Sequence, residues 1–394
     1  MLFSFKYLLT KIYTFVNEVI DSNYMRKLLF LYLIPTLLIG AISCQRDDDE
    51  PPAREIKAIS RLYVSTSDYQ AGASTNLENI WIVDPADGDT FPAESDVKGY
   101  VSAAKGGRTI HYSPLSNGMI FQSGINSPGL NDTSIQVLSV NVLGVPSSRA
   151  KLPNRRLDNV RGMHYTVVNN ATGTLAQEFL LAIQKSDTVA TPYLFAFYKP
   201  INSGFYAKPR FQMVLDFIPW GITMDEKDVY IVRTGDASIE GAVVSYKGFA
   251  QNLIEKSDTT LTNISPTYTL TIEGARNLRG ISYSKSKDIL LLTDYSVVGN
   301  EVRDGRILVF ENFSSHSTTQ KITPTRIITG AATKLKQPMD VAIDSRADGK
   351  YIYVADSGAK RVFRYLIEDN GNVTPNAELN LRGRTPESIS LDAR

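Results

Sequence analysis

The sequence predicts an all-β protein, a six-bladed β-propeller of four-stranded antiparallel blades. A short motif, two apolar residues around a polar or small one, recurs six times along the chain. The first five copies are followed by apolar runs separated by polar turns, which is typical of antiparallel strands. The sixth copy has no strands after it, whereas two strands without a preceding motif stand at the start of the globular part.

The clearest unit is Leu278–Asn312, with strands at Gly280–Tyr283, Ile289–Thr293 and Arg306–Phe310 and a turn at Ser296–Gly305. The motif copies begin their apolar pair at Ile110, Met163, Ile222, Ile281, Val341 and Ile389. A β-sandwich gives no reason for a period near 59 residues, and a β-helix needs much shorter coils. The regular period therefore favours the propeller.

The two ends of the globular part predict how the ring closes. Arg61–Ser65 and Asn79–Asp84 read as strands without a motif, and Ser388–Leu391 is a motif without strands. A propeller joins such ends in one blade, so that no sheet edge is left open. We expect the N-terminal and C-terminal strands to share a blade.

The composition is that of an ordinary globular protein of 394 residues, with 42 basic and 41 acidic side chains. A net charge of +1 argues against nucleic acid as a partner, because phosphate binding needs a basic excess.

The N-terminal region carries the pattern of a secretory signal. A basic head at Met25 precedes an apolar run, Leu28–Ile42, that is short for a membrane span. Gly40–Cys44 then resembles the lipobox of bacterial lipoproteins, although Ala41 stands where that family prefers Leu. The resemblance implies cleavage before Cys44, the only cysteine, and a lipid on Cys44 that anchors the protein to a membrane. An unmodified cysteine at the end of an anchor helix is the alternative.

The chain is thereby divided into four parts. Behind Cys44, an acidic run and two prolines predict a solvated tether. This run also resembles the surface-export signal of Bacteroidetes lipoproteins, which implies an outer-membrane protein exposed on the cell surface. The parts are an N-terminal extension that is either mis-called or non-structural (1–24), the signal peptide (25–43), the lipidated cysteine with its tether (44–55) and the propeller (56–394).

Six residues, one per blade, stand two positions before the apolar pair and define what we call the mouth ring. They are Arg108, Arg161, Trp220, Arg279, Met339 and Glu387. Residues at the start of the innermost strand face the channel mouth, so these side chains predict a concave site for a small anionic or aromatic ligand, or for an acidic loop of a partner protein. The alternative is that the arginines pair with Asp340 and Glu387 and tie blades together.

Catalysis by a nucleophile is not predicted. Three histidines are present, and His316 lies in a polar loop. His111 and His164 hold the central position of the motif, where the other blades have Thr223, Ser282, Ala342 and Ser390. A position that accepts His, Ser, Thr and Ala is interpreted as a structural slot between inward apolar residues. The sequence contains none of the zinc-protease, nucleophile-elbow or P-loop motifs.

Acidic residues at the ends of the second strands are the candidates for a metal site. Asp68, Asp294 and Asp356 are first of all turn formers. Their recurrence on one rim, with Asp340 nearby, leaves calcium as an alternative, because hard oxygen ligands from separate loops hold that ion. No other cofactor is expected.

The last two blades resemble NHL repeats. Blade six carries the resemblance in Gln337–Asp344, Tyr351–Gly358 and Arg361–Tyr365, with Asp340 in place of the glycine of that family. Such a resemblance implies a six-bladed propeller used mostly for binding. It covers about a third of the chain.

Two functions of different class follow. The favoured one is a non-catalytic, surface-anchored binding propeller. The alternative is a metal-dependent hydrolase resembling the gluconolactonase family, which implies metal ligands at Glu387, Asp340 and Asn277 or Asn159. Three arginines at the same mouth would repel a cation, which disfavours the hydrolase.

Overall fold

The computed structural model describes residues 11, 14, 58–70, 77–115, 118–125, 131–170, 173, 175–185, 191–202, 206–255, 260–261, 264–299 and 301–394. The chain divides into two compact units, Met1–Lys57 and Ala58–Arg394. The signal peptide, Cys44 and the tether lie outside the described residues, so those predictions stay predictions. No helix in the described part is both long and apolar enough to cross a bilayer.

The second unit is built from short strands, 25 of them in the described residues, with one short helix, α1 (Phe249–Glu255). The strands are β1 Ser60–Thr66, β2 Ile80–Val83, β3 Lys98–Tyr100, β4 Ile110–Ser113, β5 Met119–Ser123, β6 Ser134–Val140, β7 Pro146–Pro153, β8 Val160–Asn169, β9 Ala176–Gln184, β10 Tyr193–Tyr198, β11 Phe211–Val214, β12 Pro219–Asp225, β13 Asp228–Arg233, β14 Ala242–Tyr246, β15 Tyr268–Ile272, β16 Ile281–Ser284, β17 Ile289–Val298, β18 Glu301–Glu311, β19 Gln320–Ile322, β20 Arg326–Thr329, β21 Pro338–Ile343, β22 Tyr351–Asp356, β23 Arg361–Leu366, β24 Ala377–Leu379 and β25 Pro386–Ala393.

These strands form six antiparallel blades across the described chain, as the repeat predicts. The blades are β4–β7, β8–β11, β12–β15, β16–β18 with β20, β21–β24, and β25 with β1–β3. The last blade joins both ends of the propeller, and Tyr63 of β1 lies opposite Ser390 of β25. Every predicted motif coincides with the innermost strand of its blade, either at the beginning of that strand or within it. The prediction of a ring closed by terminal strands is confirmed.

Three local features differ from the sequence prediction. The predicted turn Ser296–Gly305 is largely ladder, because β17 and β18 stay paired out to Val298 and Glu301. The fourth strand β7, which the sequence did not reveal, has half of its residues exposed and no run of apolar side chains. A fifth strand, β19, adds to β15 in parallel.

The core lies between neighbouring blades and fixes the phase of each innermost strand. In β4, Ile110 and Tyr112 are buried against Tyr63 and Ile80 of the closing blade, and His111 between them is only partly buried. Each buried aliphatic side chain contributes about 1.5–3 kcal/mol relative to leaving it exposed. Since side chains alternate along a strand, packing the apolar pair between blades turns the central motif residue toward the channel.

Candidate functional site

The mouth ring is set by irregularities at the start of the innermost strands. The strand register shifts around Arg161, Trp220, Met339 and Glu387. A β-bulge inserts an extra residue and re-aims its side chain, and bulges are common beside functional sites. Here the bulges free these side chains from the ladder and place them at one end of the channel.

Trp220 is the centre of the ring. The guanidinium carbon atoms of Arg161 and Arg279 each lie 4.0 Å from the centroid of its indole, and that of Arg108 lies 5.5 Å away. Arg161 and Arg279 come from the blades before and after that of Trp220, so the indole lies between them. A desolvated cation over an indole is stabilised by about 2 kcal/mol. Three of the four predicted cationic and aromatic residues therefore contact the fourth.

This arrangement concentrates positive charge. Arg161 and Arg279 lie no further apart than twice 4.0 Å, a separation at which two unit charges repel by about 2 kcal/mol at an effective dielectric constant of 20. Arg279 donates hydrogen bonds to the Tyr295 hydroxyl at 2.7 Å and to the Leu278 carbonyl at 3.0 Å. Its buried Nε has no partner in the described part of the chain. Burial lowers the pKa of Arg279 below its usual range.

Two of the three arginines do not pair with the acids that the alternative named. Among the described residues, neither Arg108 nor Arg279 forms an ion pair with Asp340 or Glu387, and the Arg108 guanidinium has no hydrogen bond. Asp340 instead accepts hydrogen bonds from the Ser388 hydroxyl at 2.5 Å and the Ile389 N–H at 3.0 Å. It thus joins its own blade to the closing one without the arginines.

Both acids of the mouth are held in an environment that favours their neutral form. Burial raises the pKa of Asp340 to about 6, against the opposing effect of its hydrogen bonds. Burial also raises the pKa of Glu387, and the positive charges of Arg108 and Arg161 act in the opposite direction. Three cations thus face two carboxylates that take up a proton at a higher pH than usual, and the positive charges outnumber the negative ones.

The strand-end acids anchor loops. Asp356 accepts hydrogen bonds from the backbone N–H groups of Lys336, Gln337 and Ala359 at 2.8–3.0 Å. Asp294 accepts from the N–H of Asn277 at 2.7 Å and pairs with Arg306 at 2.6 Å, while Asp68 accepts from the N–H of Thr385. In each case the anchored loop leads into the strand that carries a mouth-ring residue. These acids position the mouth in the described chain.

Candidate metal ligands are not gathered together. In the described ranges, no three His, Cys, Asp or Glu side chains are close enough to hold a metal ion. Asn277 donates to the Tyr295 carbonyl at 3.0 Å, and Asn159 is buried. The hydrolase alternative implies a ligand set of Glu387 and Asp340 with one of these asparagines. Asn277 is held by its hydrogen bond to Tyr295 and Asn159 is buried.

A cavity of about 220 Å³ runs from the mouth into the channel. Its wall includes four members of the mouth ring, whereas Arg108 and Arg279 lie outside it. The wall also includes the central residue of each of the six motifs, and we call these six residues the channel ring. The wall members of the two rings are Arg161, Trp220, Met339 and Glu387 at the mouth, and His111, His164, Thr223, Ser282, Ala342 and Ser390 in the channel. The histidine position, interpreted from sequence as a structural slot, lies in the wall of this cavity.

The two histidines of the channel ring lie together. Their ring centroids are 4.8 Å apart with the planes inclined by 45°. Burial lowers the pKa of His164 to about 4 and that of His111 well below its usual range, with the neighbouring ring adding to the effect. Both imidazoles are therefore neutral at pH 7. The recurrence of a polar residue at one phase of five of the six motifs could have revealed this ring from sequence.

Comparison with known proteins adds no family. No protein-family model and no curated protein matches the chain, so the NHL resemblance remains an expectation. Solved structures similar to it include a functionally unknown protein from Desulfotomaculum acetoxidans (9% identity, TM-score 0.46, covering 85% of this chain and 98% of that one). They also include the soluble aldose sugar dehydrogenase of Escherichia coli (11%, 0.43, 73% and 92%) and a proposed 6-phosphogluconolactonase from Bacteroides uniformis (11%, 0.39, 85% and 99%). Likeness at this level carries no ligand or reaction to the present chain.

Proposed function

We propose that the protein is a non-catalytic binding propeller that takes a small anionic ligand at its channel mouth. The observation that carries the proposal is the group of three arginines around Trp220, of which the Arg108 guanidinium has no hydrogen bond or ion pair to another described residue. Clustering cations in a partly buried site costs free energy, and an anion offsets that cost. Arginine offers a fork of donors suited to carboxylate and phosphate groups.

The ligand is selected by charge rather than by stacking. Arg161 and Arg279 contact the indole from the two flanking blades, so a second ring would compete with two guanidinium groups for contact with Trp220. Of the two small ligands that the sequence allowed, anionic and aromatic, this arrangement favours the anionic one. Trp220 acts as the support that holds the guanidinium groups.

Sulfate is a suitable first probe, because it stays ionised across the working pH range. Isothermal titration of the full-length protein in detergent, at constant chloride, is expected to detect binding that weakens as ionic strength rises. Arg108→Gln should lower the affinity about tenfold, since a hydrogen bond from a charged donor contributes ~1.5–3 kcal/mol. Arg382→Gln is the matched control, because Arg382 also lies over an indole, at 5.1 Å from Trp81, away from the mouth. Sulfate binding unaffected by Arg108→Gln and salt would refute an anion site.

We further propose that this propeller is tethered to the outer membrane, on the cell surface, through a lipid on Cys44. The support is the signal-like run that ends at Cys44 and the acidic, proline-containing stretch behind it. Cys44→Ser is expected to abolish incorporation of labelled palmitate and to move the protein out of the membrane fraction. Protease shaving of whole cells would separate a surface location from a periplasmic one. A Cys44→Ser protein that still sediments with membranes and takes up label would disprove lipidation at this residue.

A further inference from the structure

The cavity continues below the arginines into a chemically different layer. The channel ring lies three residues further along each innermost strand than the mouth ring, about 10 Å away at ~3.3 Å per residue. The described side chains of this layer carry no formal charge, since His111 and His164 are neutral and the other members are Thr, Ser and Ala. The mouth thus offers charge, and the channel offers neutral polar groups.

The channel ring is rich in hydrogen-bonding capacity that the protein does not use. In the described part of the chain, neither His111 nor His164 takes part in a hydrogen bond. A neutral imidazole carries one N–H donor and one nitrogen acceptor. The hydroxyl oxygens of Ser282 and Ser390 accept the backbone N–H groups of Ile343 and Tyr112, at 3.2 and 2.8 Å, which leaves their O–H protons able to donate.

The histidine pair has no evident role in packing. Serine, threonine or alanine holds the same position in the other four blades, so the strand does not require an imidazole there. Two adjacent, partly buried imidazoles in a cavity wall, without hydrogen-bond partners among the described residues, have nitrogens available to a polar group that enters the cavity. A hydroxyl group, which both donates and accepts, matches a neutral imidazole on either nitrogen.

We propose that the site is specific for a small hydroxylated organic anion, whose anionic group binds at the mouth ring and whose hydroxyl groups bind His111 and His164 in the channel. This inference rests on the proposed anion-binding function. The cavity of about 220 Å³ has room for about seven waters at ~30 Å³ each and is smaller than the ~300–1,000 Å³ typical of pockets for drug-sized ligands. The ligand is therefore short, and its anionic end lies at the opening.

Two matched probe sets separate the contributions of charge and hydroxyl groups. Gluconate, hexanoate and sorbitol share six carbons, and glycerate, propionate and glycerol share three. With the full-length protein in detergent, the hydroxylated acid of at least one set should bind about tenfold more tightly than its deoxy partner, as two added hydrogen bonds allow. The neutral polyol of that set should bind more weakly than its acid.

Variants of the channel ring test where the preference originates. The double variant His111→Ser with His164→Ser installs the residue that two other blades carry at this position, so the fold should tolerate it. It should bring the hydroxylated acid to within twofold of its deoxy partner and leave sulfate affinity unchanged. His316→Ser, in a partly exposed loop, is the matched control and should change neither.

The outcomes distinguish this inference from the function on which it rests. Sulfate binding with no preference for the hydroxylated acid in either set, or a preference that survives in the double variant, overturns hydroxyl recognition by the channel and leaves the anion site standing. Polyols that bind as well as their acids overturn the two-part ligand. Absence of sulfate and carboxylate binding overturns both proposals.

Discussion

Replacing Arg279 by Met separates a ligand site from a structural tie between blades. The change removes cation–π contacts to Trp220 and Tyr295 and hydrogen bonds to the Tyr295 hydroxyl and the Leu278 carbonyl. It also removes a buried positive charge and its repulsion from Arg161, which we estimate at about 2 kcal/mol. Losses of ~0.5–2 kcal/mol for the cation–π contacts and ~1.5–3 kcal/mol per charged hydrogen bond are offset by this relief and by the recovered desolvation of the charge.

We therefore expect Arg279→Met to change the free energy of unfolding by less than about 2 kcal/mol and to lower sulfate affinity about 10- to 100-fold. Urea unfolding measures the first quantity, and isothermal titration measures the second. The matched control is Arg364→Met. Arg364 is fully buried, lies over Tyr351 and Phe91, and donates to carbonyl groups of Ala86 and Gly88 in the closing blade.

The control should reverse the pattern. Loss of Arg364 leaves several carbonyl groups without their charged donor, so unfolding should require at least 3 kcal/mol less, at about 1–3 kcal/mol per buried group, while sulfate affinity stays unchanged. The reasoning about the mouth is refuted if Arg279→Met behaves like Arg364→Met, with a large loss of stability and undiminished sulfate binding. Arg279 would then be a structural arginine.

Three further changes test the electrostatics and support of the mouth. Burial raises the pKa of Glu387, so its negative charge is lost on acidification. Glu387→Gln should tighten sulfate binding several-fold at pH 8 and weaken the pH dependence of sulfate binding between pH 5 and 8. A variant whose sulfate affinity follows pH as the unmodified protein does would contradict this. Asp340 has a pKa of about 6 in the folded state against ~3.9 in the unfolded state, so the folded state binds more protons. The free energy of unfolding should therefore rise by about 1 kcal/mol from pH 7 to pH 5. Urea unfolding should show a smaller gain in Asp340→Ser, which installs the residue that the closing blade carries at this position. Asp356→Ala removes the acceptor of three backbone N–H groups and should lower the free energy of unfolding by ~3–5 kcal/mol. A change below 1 kcal/mol in the same assay would show that Asp356 does not hold the loop before Met339.

The fold was predictable because apolar residues define its repeat. Each copy of the motif places an apolar pair between blades, and burial of that pair decides the phase of the strand irrespective of its neighbours. The strand β7 escaped prediction because it lies at the outer edge, where half of its side chains are exposed and no apolar alternation is required. The Ser296–Gly305 segment was misread for a similar reason, since its paired residues Val297 and Val302 are exposed.

The site was only half predictable. Counting back from the motif was enough to find the mouth ring, but the contacts of Arg161 and Arg279 with Trp220 join residues 59 positions apart, whose distances depend on how blades pack. The channel ring was not recognised from sequence because alternation shows that the central residue differs in direction from its neighbours, and it does not show which direction is the channel. Closure of the ring settles that question, since one phase of all six inner strands must face the axis.

Different positions of the motif have different roles, which explains how the fold can be predicted from a sequence that matches no protein-family model. The apolar pair and the residue before it are constrained by contacts between blades: a Cβ atom at Gly280 would lie 2.6 Å from the Cα atom of Asp340 in the next blade, closer than packing permits. The positions two before and one after the first apolar residue point to the mouth and the channel, and they hold Arg, Trp, Met and Glu, and His, Thr, Ser and Ala. Residues at these positions can change with little effect on blade packing, so ligand specificity can diverge while the propeller persists. We therefore expect the function of this chain to depend on its two rings rather than on its fold.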